Sequence, residues 1–198
     1  MRVGKGSSYP ILLETTEALI REKGCQQTTL KEIMESSGLS KGAIYHYVKS
    51  KDELFGLVLK ERLAKVNQRF QEAVNTDSPD LETPLAAIVQ GMTHVDNPED
   101  VTNRIFIYLL GKNEDPTVEA LLKEGYRIAE ENAVDWIEAG QENGVISKEI
   151  DAKKTAHLFI VLSYGLRVRA MVEPDNPAFR LEDLHAYMHN ILRGGGMG

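Results

Sequence analysis

Apolar residues recur every three or four positions along most of the 198-residue chain, and nowhere do apolar and polar residues alternate for more than a few positions. That period predicts helices throughout and no half-buried strands. In the first helix Ile11, Thr15, Ala18 and Leu19 form a stripe that ends near Gly24. Thr29-Leu30-Lys31-Glu32 has the form of a capping box, in which Glu32 reaches back to the Thr29 amide. Leu30, Ile33 and Met34 then face inward from helix 29–36, and Gly38 closes it as a left-handed C-cap. Ser40 caps a helix over 40–48, with Ile44 and Val48 four apart on one side. Ser50-Lys51-Asp52-Glu53 repeats the capping pattern and opens a long helix to about Val74.

Ser78 to Pro84 is polar with two prolines, and is expected to be a joint. Asn97-Pro98 and Asp115-Pro116 each place a cap before a proline at a first helical position. The second of these opens a helix to about Glu142, stopped by Asn143-Gly144. Another helix is expected over Ala152–Val172, and Leu181, Leu184, Met188 and Ile191 give a three-four spaced stripe on the last. The closing Arg-Gly-Gly-Gly-Met-Gly is expected to be a flexible tail.

Helix 29–36, a three-residue turn and helix 40–48 match the lengths of a DNA-binding helix-turn-helix. Ile33, Leu39, Ile44 and Val48 are placed to form its small core. Lys41, Gly42, Ala43, Tyr45, His46 and Tyr47 are left for the outside. Gly42 costs about 1 kcal/mol of helix propensity relative to alanine, so a backbone that must approach base edges closely gives it a purpose. Lys51, at the start of the next helix, adds its charge to free amides that attract phosphate. Singly, each of these residues fits an ordinary solvated surface or core edge. Their order and spacing together point to DNA.

The net charge of −7 first argues against that partner, and its distribution answers the objection. Residues 1–62 hold 10 Lys/Arg and 8 Asp/Glu, net +2, whereas residues 63–198 hold 13 and 22, net −9. A basic patch on an acidic body still binds phosphates, because salt screens charges beyond about 10 Å. One cysteine, Cys25, gives no disulfide framework and points to a reducing cytoplasm, with an inert thiol. The longest uncharged run, Thr83 to Val95, has 13 residues, shorter than the ~18 of a membrane span. The first ten residues lack the apolar core of a signal peptide. His185, His189 and Glu182 have a spacing that could ligate a metal, but surface histidines are the plainer reading; His157 suits a core edge and His94 a loop. No metal, cofactor or catalytic constellation is expected, so the chain is not read as an enzyme.

Thr29-x-x-x-Ile33, Ser37-Gly38-Leu39-Ser40-Lys41-Gly42, Ile44 through Lys51, and Glu53-Leu54-Phe55 resemble the tetracycline-repressor (TetR) family of bacterial regulators. With the first helix the resemblance covers about residues 8–60. Ser37 stands where alanine is usual and Val48 where phenylalanine is usual; both lie toward the small core. The resemblance implies an all-α chain: a three-helix helix-turn-helix domain, residues 1–52, and a helical effector-binding and dimerisation domain, residues 53–198. Lys41, Gly42, Ala43 and His46 would face bases, and Lys31 a base or a phosphate. Thr29, Tyr45, Tyr47 and Lys51 would hold the sugar-phosphate backbone, beside the cap at Ser40. The implied function is a repressor that binds palindromic double-stranded operator DNA as a homodimer through its last two helices. A small, largely apolar effector would release it, from a pocket drawn from Ile88, Met92, Phe106, Tyr108, Trp136, Phe159 and Ser163. The alternative is an effector-independent architectural or cell-division protein of the same fold.

Overall fold

The computed structural model describes residues 8–74, 95–175 and 178–194, and every regular element among them is helical. The helices are α1 (Ser8–Gln27), α2 (Leu30–Ser37), α3 (Lys41–Tyr45), α4 (Lys51–Val74), α5 (Val101–Leu110), α6 (Pro116–Glu142), α7 (Ala152–Val172) and α8 (Leu181–Leu192). The chain divides into two compact units, residues 1–62 with 99–125 and residues 63–98 with 126–198, so the divisions fall inside α4 and α6. The expected joint at Ser78–Pro84 lies outside the described residues, as do Ile88, Met92, His94 and the last four residues of the tail.

In the first unit α1 is centred on Leu12, Thr16 and Ile20, which are fully buried, while Ile11, Thr15 and Leu19 flank them and Ala18 is exposed. The inward stripe is therefore turned by about one residue from the expected one. The reason is local: the Thr16 hydroxyl donates to the Leu12 carbonyl at 2.7 Å. With its polar group satisfied, this threonine sits in the core without the usual penalty. Gly24, at φ 79° and ψ 168°, breaks the helix in a conformation that side chains resist.

Helices α2 and α3 pack Ile33, Leu39, Ile44 and Val48 into one core with Leu54, Phe55, Ile105 and Leu109. Five residues make a helix too short to persist alone, so packing holds α3 in place. Burying a side chain such as Ile44 stabilises by about 1.5–3 kcal/mol, more than any cap supplies. Pro98 does not open a helix. Instead Asp100 caps α5, its Oδ1 accepting from the Thr102 amide at 2.8 Å. At Asp115-Pro116 the expected start holds, with Asp115 accepting from the amides of Thr117 and Val118.

The second unit has its own core, in which Phe70, Ile137, Ile146, Phe159, Leu184 and Met188 are buried. Asn143-Gly144 ends α6 as expected, with Gly144 at φ 75°. Two residues on, Ile146 folds back against Gly140; a β-carbon there would lie 2.7 Å from its Cγ1. Helix α7 buries Ala156, Phe159, Ile160, Ser163, Leu166 and Ala170 and packs on α8, which buries Leu181, Leu184, Met188 and Leu192. The far side of α7 is unlike this. Val161, Val168 and Val172 are 61%, 44% and 73% exposed, and together with Gly165 they share one face.

Candidate nucleic-acid interface

The helix-turn-helix is assembled by its caps. Thr29 Oγ1 accepts from the Glu32 amide while the Glu32 carboxylate accepts from the Thr29 amide at 3.0 Å, closing the expected box. Hydrogen bonds from Lys23 and Thr29 hold the Glu32 carboxyl below its ordinary range. Gly38, at φ 67°, donates to the Met34 carbonyl and turns the chain. Ser40 Oγ then accepts from the Ala43 amide at 3.2 Å. The expected helix over 40–48 is shorter, with α3 ending at Tyr45. Tyr47 donates from its amide to Ile44, three residues back, which tightens the last turn. In the second capping motif the Glu53 amide donates to Ser50 Oγ at 3.1 Å. The Glu53 carboxylate, however, reaches the Lys49 amide rather than that of Ser50.

This frame presents Lys41, Gly42, Tyr45 and His46 to solvent, with Thr29, Lys31 and Ser40 exposed beside them. Lys41 stands 5.6 Å over the Tyr45 ring, so the two side chains share one position. A β-carbon on Gly42 would meet nothing within 4 Å. No intramolecular packing therefore explains the absence of a side chain there. Lys31 makes an exposed contact with Glu35 at 3.8 Å, worth little in water, so its charge stays available.

Ala43 and Tyr47, expected outside, are half-buried and pack on the first unit's core. The Tyr47 ring centroid is 5.2 Å from that of Tyr9, and its hydroxyl lies 3.2 Å from Ser8 Oγ. Tyr47 thus ties the end of α3 to the start of α1. Lys51 also takes a part beyond the expected one. Its ammonium donates to the carbonyls of Cys25 at 3.0 Å and Gln26 at 3.3 Å. Burial lowers its pKa from the ordinary 10.5.

Around Lys51 lies a cluster that residue spacing could not foretell, because its members stand 56 and 60 residues apart. The Tyr108 hydroxyl donates to Asp52 Oδ1 at 2.9 Å, and Lys112 donates to Asp52 Oδ2 at 2.7 Å. The Lys51 and Lys112 ammonium groups lie 5.1 and 4.7 Å from the Tyr108 ring centroid. Two arginines brace the same unit. Arg104 donates to the carbonyls of Ile20 and Arg21, and Arg62 joins Glu17 to Thr102.

The described residues named for an effector pocket come from both units. Phe106 and Tyr108 belong to the first unit, and Trp136, Phe159 and Ser163 to the second. Trp136 donates to Asn67 at 2.8 Å and its ring packs against Phe70. Ser163 donates to the Ile160 carbonyl, and Phe159 is core. His157 lies 3.0 Å from the Tyr126 hydroxyl and 3.1 Å from Glu130. No group of three metal-ligating side chains occurs among the described residues, and none of their helices is long and apolar enough to cross a membrane.

Residues 12–58, which hold this frame, match the family model described as bacterial regulatory proteins, tetR family. Those residues are a TetR-family segment. The chain is 31% identical over 71 residues to the transcriptional repressor KstR2 of Mycolicibacterium smegmatis, a match covering 36% of this chain and 35% of that repressor. It is 23% identical to the transcriptional regulator UidR of Escherichia coli K12 over 78% of this chain and 77% of that one. The fold matches SmeT, the repressor of the Stenotrophomonas maltophilia multidrug efflux pump SmeDEF, with a TM-score of 0.64 at 19% identity. That match covers 98% of this chain and 90% of SmeT. The TetR-family segment marks the chain as a transcriptional regulator of the TetR type, and the exposed face of α3 is where its frame directs side chains outward.

Proposed function

We propose that the chain is a repressor that binds palindromic operator DNA as a homodimer and leaves it on binding a small, largely apolar effector. Residues 1–52 read the DNA; residues 53–198 pair the subunits and hold the effector. Lys41, Gly42 and His46 face bases, with Ala43 beneath them, while Thr29, Lys31, Ser40, Tyr45 and Tyr47 hold the backbone in register. The observation that carries this reading is Gly42: a glycine on an exposed helical face, beside a lysine and a tyrosine, with nothing of its own protein to make room for. A closely approaching partner supplies the missing reason. The word repressor in the names of KstR2 and SmeT supports the direction of regulation.

The exposed face of α7 supports the homodimer. Val161, Gly165, Val168 and Val172 form an uncovered apolar row on a helix whose other side is fully packed. Gly165, like Gly42, has nothing within 4 Å of a β-carbon. A second copy meeting the first along this row would bring two reading heads to one DNA site, about 34–36 Å apart on successive turns.

The experiment is selection of duplexes from a randomised library by the purified chain, repeated with Lys41→Ala. The expected result is a palindromic motif, with preference altered in both half-sites by the substitution, since a good side chain–base pair discriminates by about 1–3 kcal/mol. Enrichment of no motif sinks the reading. An effector-independent role is favoured by one observation, the engagement of Trp136, Phe159 and Ser163 in their own unit. It is chosen if none of a panel of apolar compounds displaces the selected duplex.

A further inference from the structure

A DNA-reading helix of five residues needs its surroundings to fix its orientation, and the structure shows what grips the segment that follows it. The first turn of α4 begins at Lys51, six residues after α3 ends. Both of the first two side chains of α4 are committed to other helices. Lys51 donates to the Cys25 and Gln26 carbonyls, beyond the break at Gly24, where the unpaired acceptors at the end of α1 concentrate negative charge. Asp52 accepts from Tyr108 on α5 and from Lys112 just past it. Both ammonium groups lie near the Tyr108 ring, 5.1 Å and 4.7 Å from its centroid, so one aromatic ring attracts both cations. The Phe55 ring, one turn along α4, meets Tyr108 edge-on at 5.4 Å.

We propose that Tyr108, with Asp52 and Lys112, is a positioning group for DNA recognition, and that Lys51 acts through the same cluster by capping α1 rather than by touching phosphate. The cluster fixes the start of α4 against the ends of α1 and α5, and so fixes the turn that carries α3. Two features argue for this over a chance surface network. Lys51 directs two of its three donors inward, to two main-chain carbonyls, and is only partly exposed, whereas Lys41 and Lys31 are exposed and donate to no carbonyl among the described residues. Asp52 accepts with both oxygens, from two donors on one side of the molecule, so loss of either donor frees the carboxylate to turn.

This rests on the reading that α3 enters DNA, and the test separates the two. Without DNA, amide hydrogen exchange of Tyr108→Phe and Asp52→Asn is compared with the parent chain. Faster exchange over residues 24–55, with exchange over 126–172 unchanged, is expected; unchanged exchange over 24–55 overturns the proposal whatever the DNA does. With DNA, the affinity of each variant for the duplex the parent chain selects is measured across salt concentrations. Tyr108→Phe keeps the ring and loses one hydrogen bond, and is expected to weaken binding about threefold to tenfold with an unchanged salt slope. Lys51→Met is expected to keep the slope also. A direct phosphate contact would instead reduce it by about 0.9 per contact, and that result for Lys51→Met overturns its assignment as a cap. Full affinity in Tyr108→Phe, beside a lowered melting temperature, would make the cluster structural only and overturn the proposal as well.

Discussion

At the scale of single residues, glycines separate two kinds of necessity. Gly56 answers to its own protein, because a β-carbon there would lie 2.7 Å from Leu121 Cδ2 and that side chain would have to shift. Gly42 answers to nothing inside the chain. Gly42→Ala is therefore expected to stabilise α3 by about 0.5–1 kcal/mol through helix propensity. The same methyl should weaken binding to the selected duplex about tenfold, the scale of one lost base contact. Thermal unfolding and a DNA titration on the same sample check the two opposite signs. A loss of both stability and affinity would mean that Gly42 serves the fold.

At the scale of elements, turns and caps decide where helices stop, and here too packing can be tested. Ile146 folds back onto Gly140 so closely that an added methyl must displace it, and Ile146 is itself buried. Gly140→Ala is expected to destabilise the second unit by about 1–3 kcal/mol despite improving helix propensity. Denaturant unfolding followed through Trp136, in the same unit, measures it. Such elements were legible in the sequence where the signal is local. Thr29 with Glu32, Gly38, Ser40 and Asp115-Pro116 all do what their chemistry announces within four residues. The stripe of α1 is shifted from the expected one because Thr15 and Thr16 look alike in sequence, and only the bond from Thr16 to the Leu12 carbonyl suits the second to the core. Pro98 misled because a stronger cap, Asp100, follows two residues later. The cluster at Tyr108 was illegible for another reason: its members meet only after the chain has folded, and spacing says nothing about contacts 56 residues apart.

At the scale of the whole molecule, charge and exposed apolar surface give different instructions. Residues 1–62 carry net +2 and residues 63–198 net −9, so attraction to a polyanion is confined to the amino-terminal part of the sequence. The proposed pairing along α7 must overcome repulsion between two acidic stretches, which apolar contact does best. Val168→Asp places a charge in the middle of that row and is expected to convert a two-subunit species to single subunits in sedimentation, with operator affinity lost in parallel. A variant that still sediments as a pair would locate the contact elsewhere.

The lone thiol offers a last consequence. Cys25 is buried, and burial pushes its pKa up to about 11, so at neutral pH it is almost wholly protonated and shielded. Because the sequence holds no other sulfhydryl, a maleimide can mark the chain in one place only, and only while the first unit breathes open. The protein thus carries a built-in clock for its own opening: the labelling half-life, with and without bound duplex, times how often the end of α1 lets go.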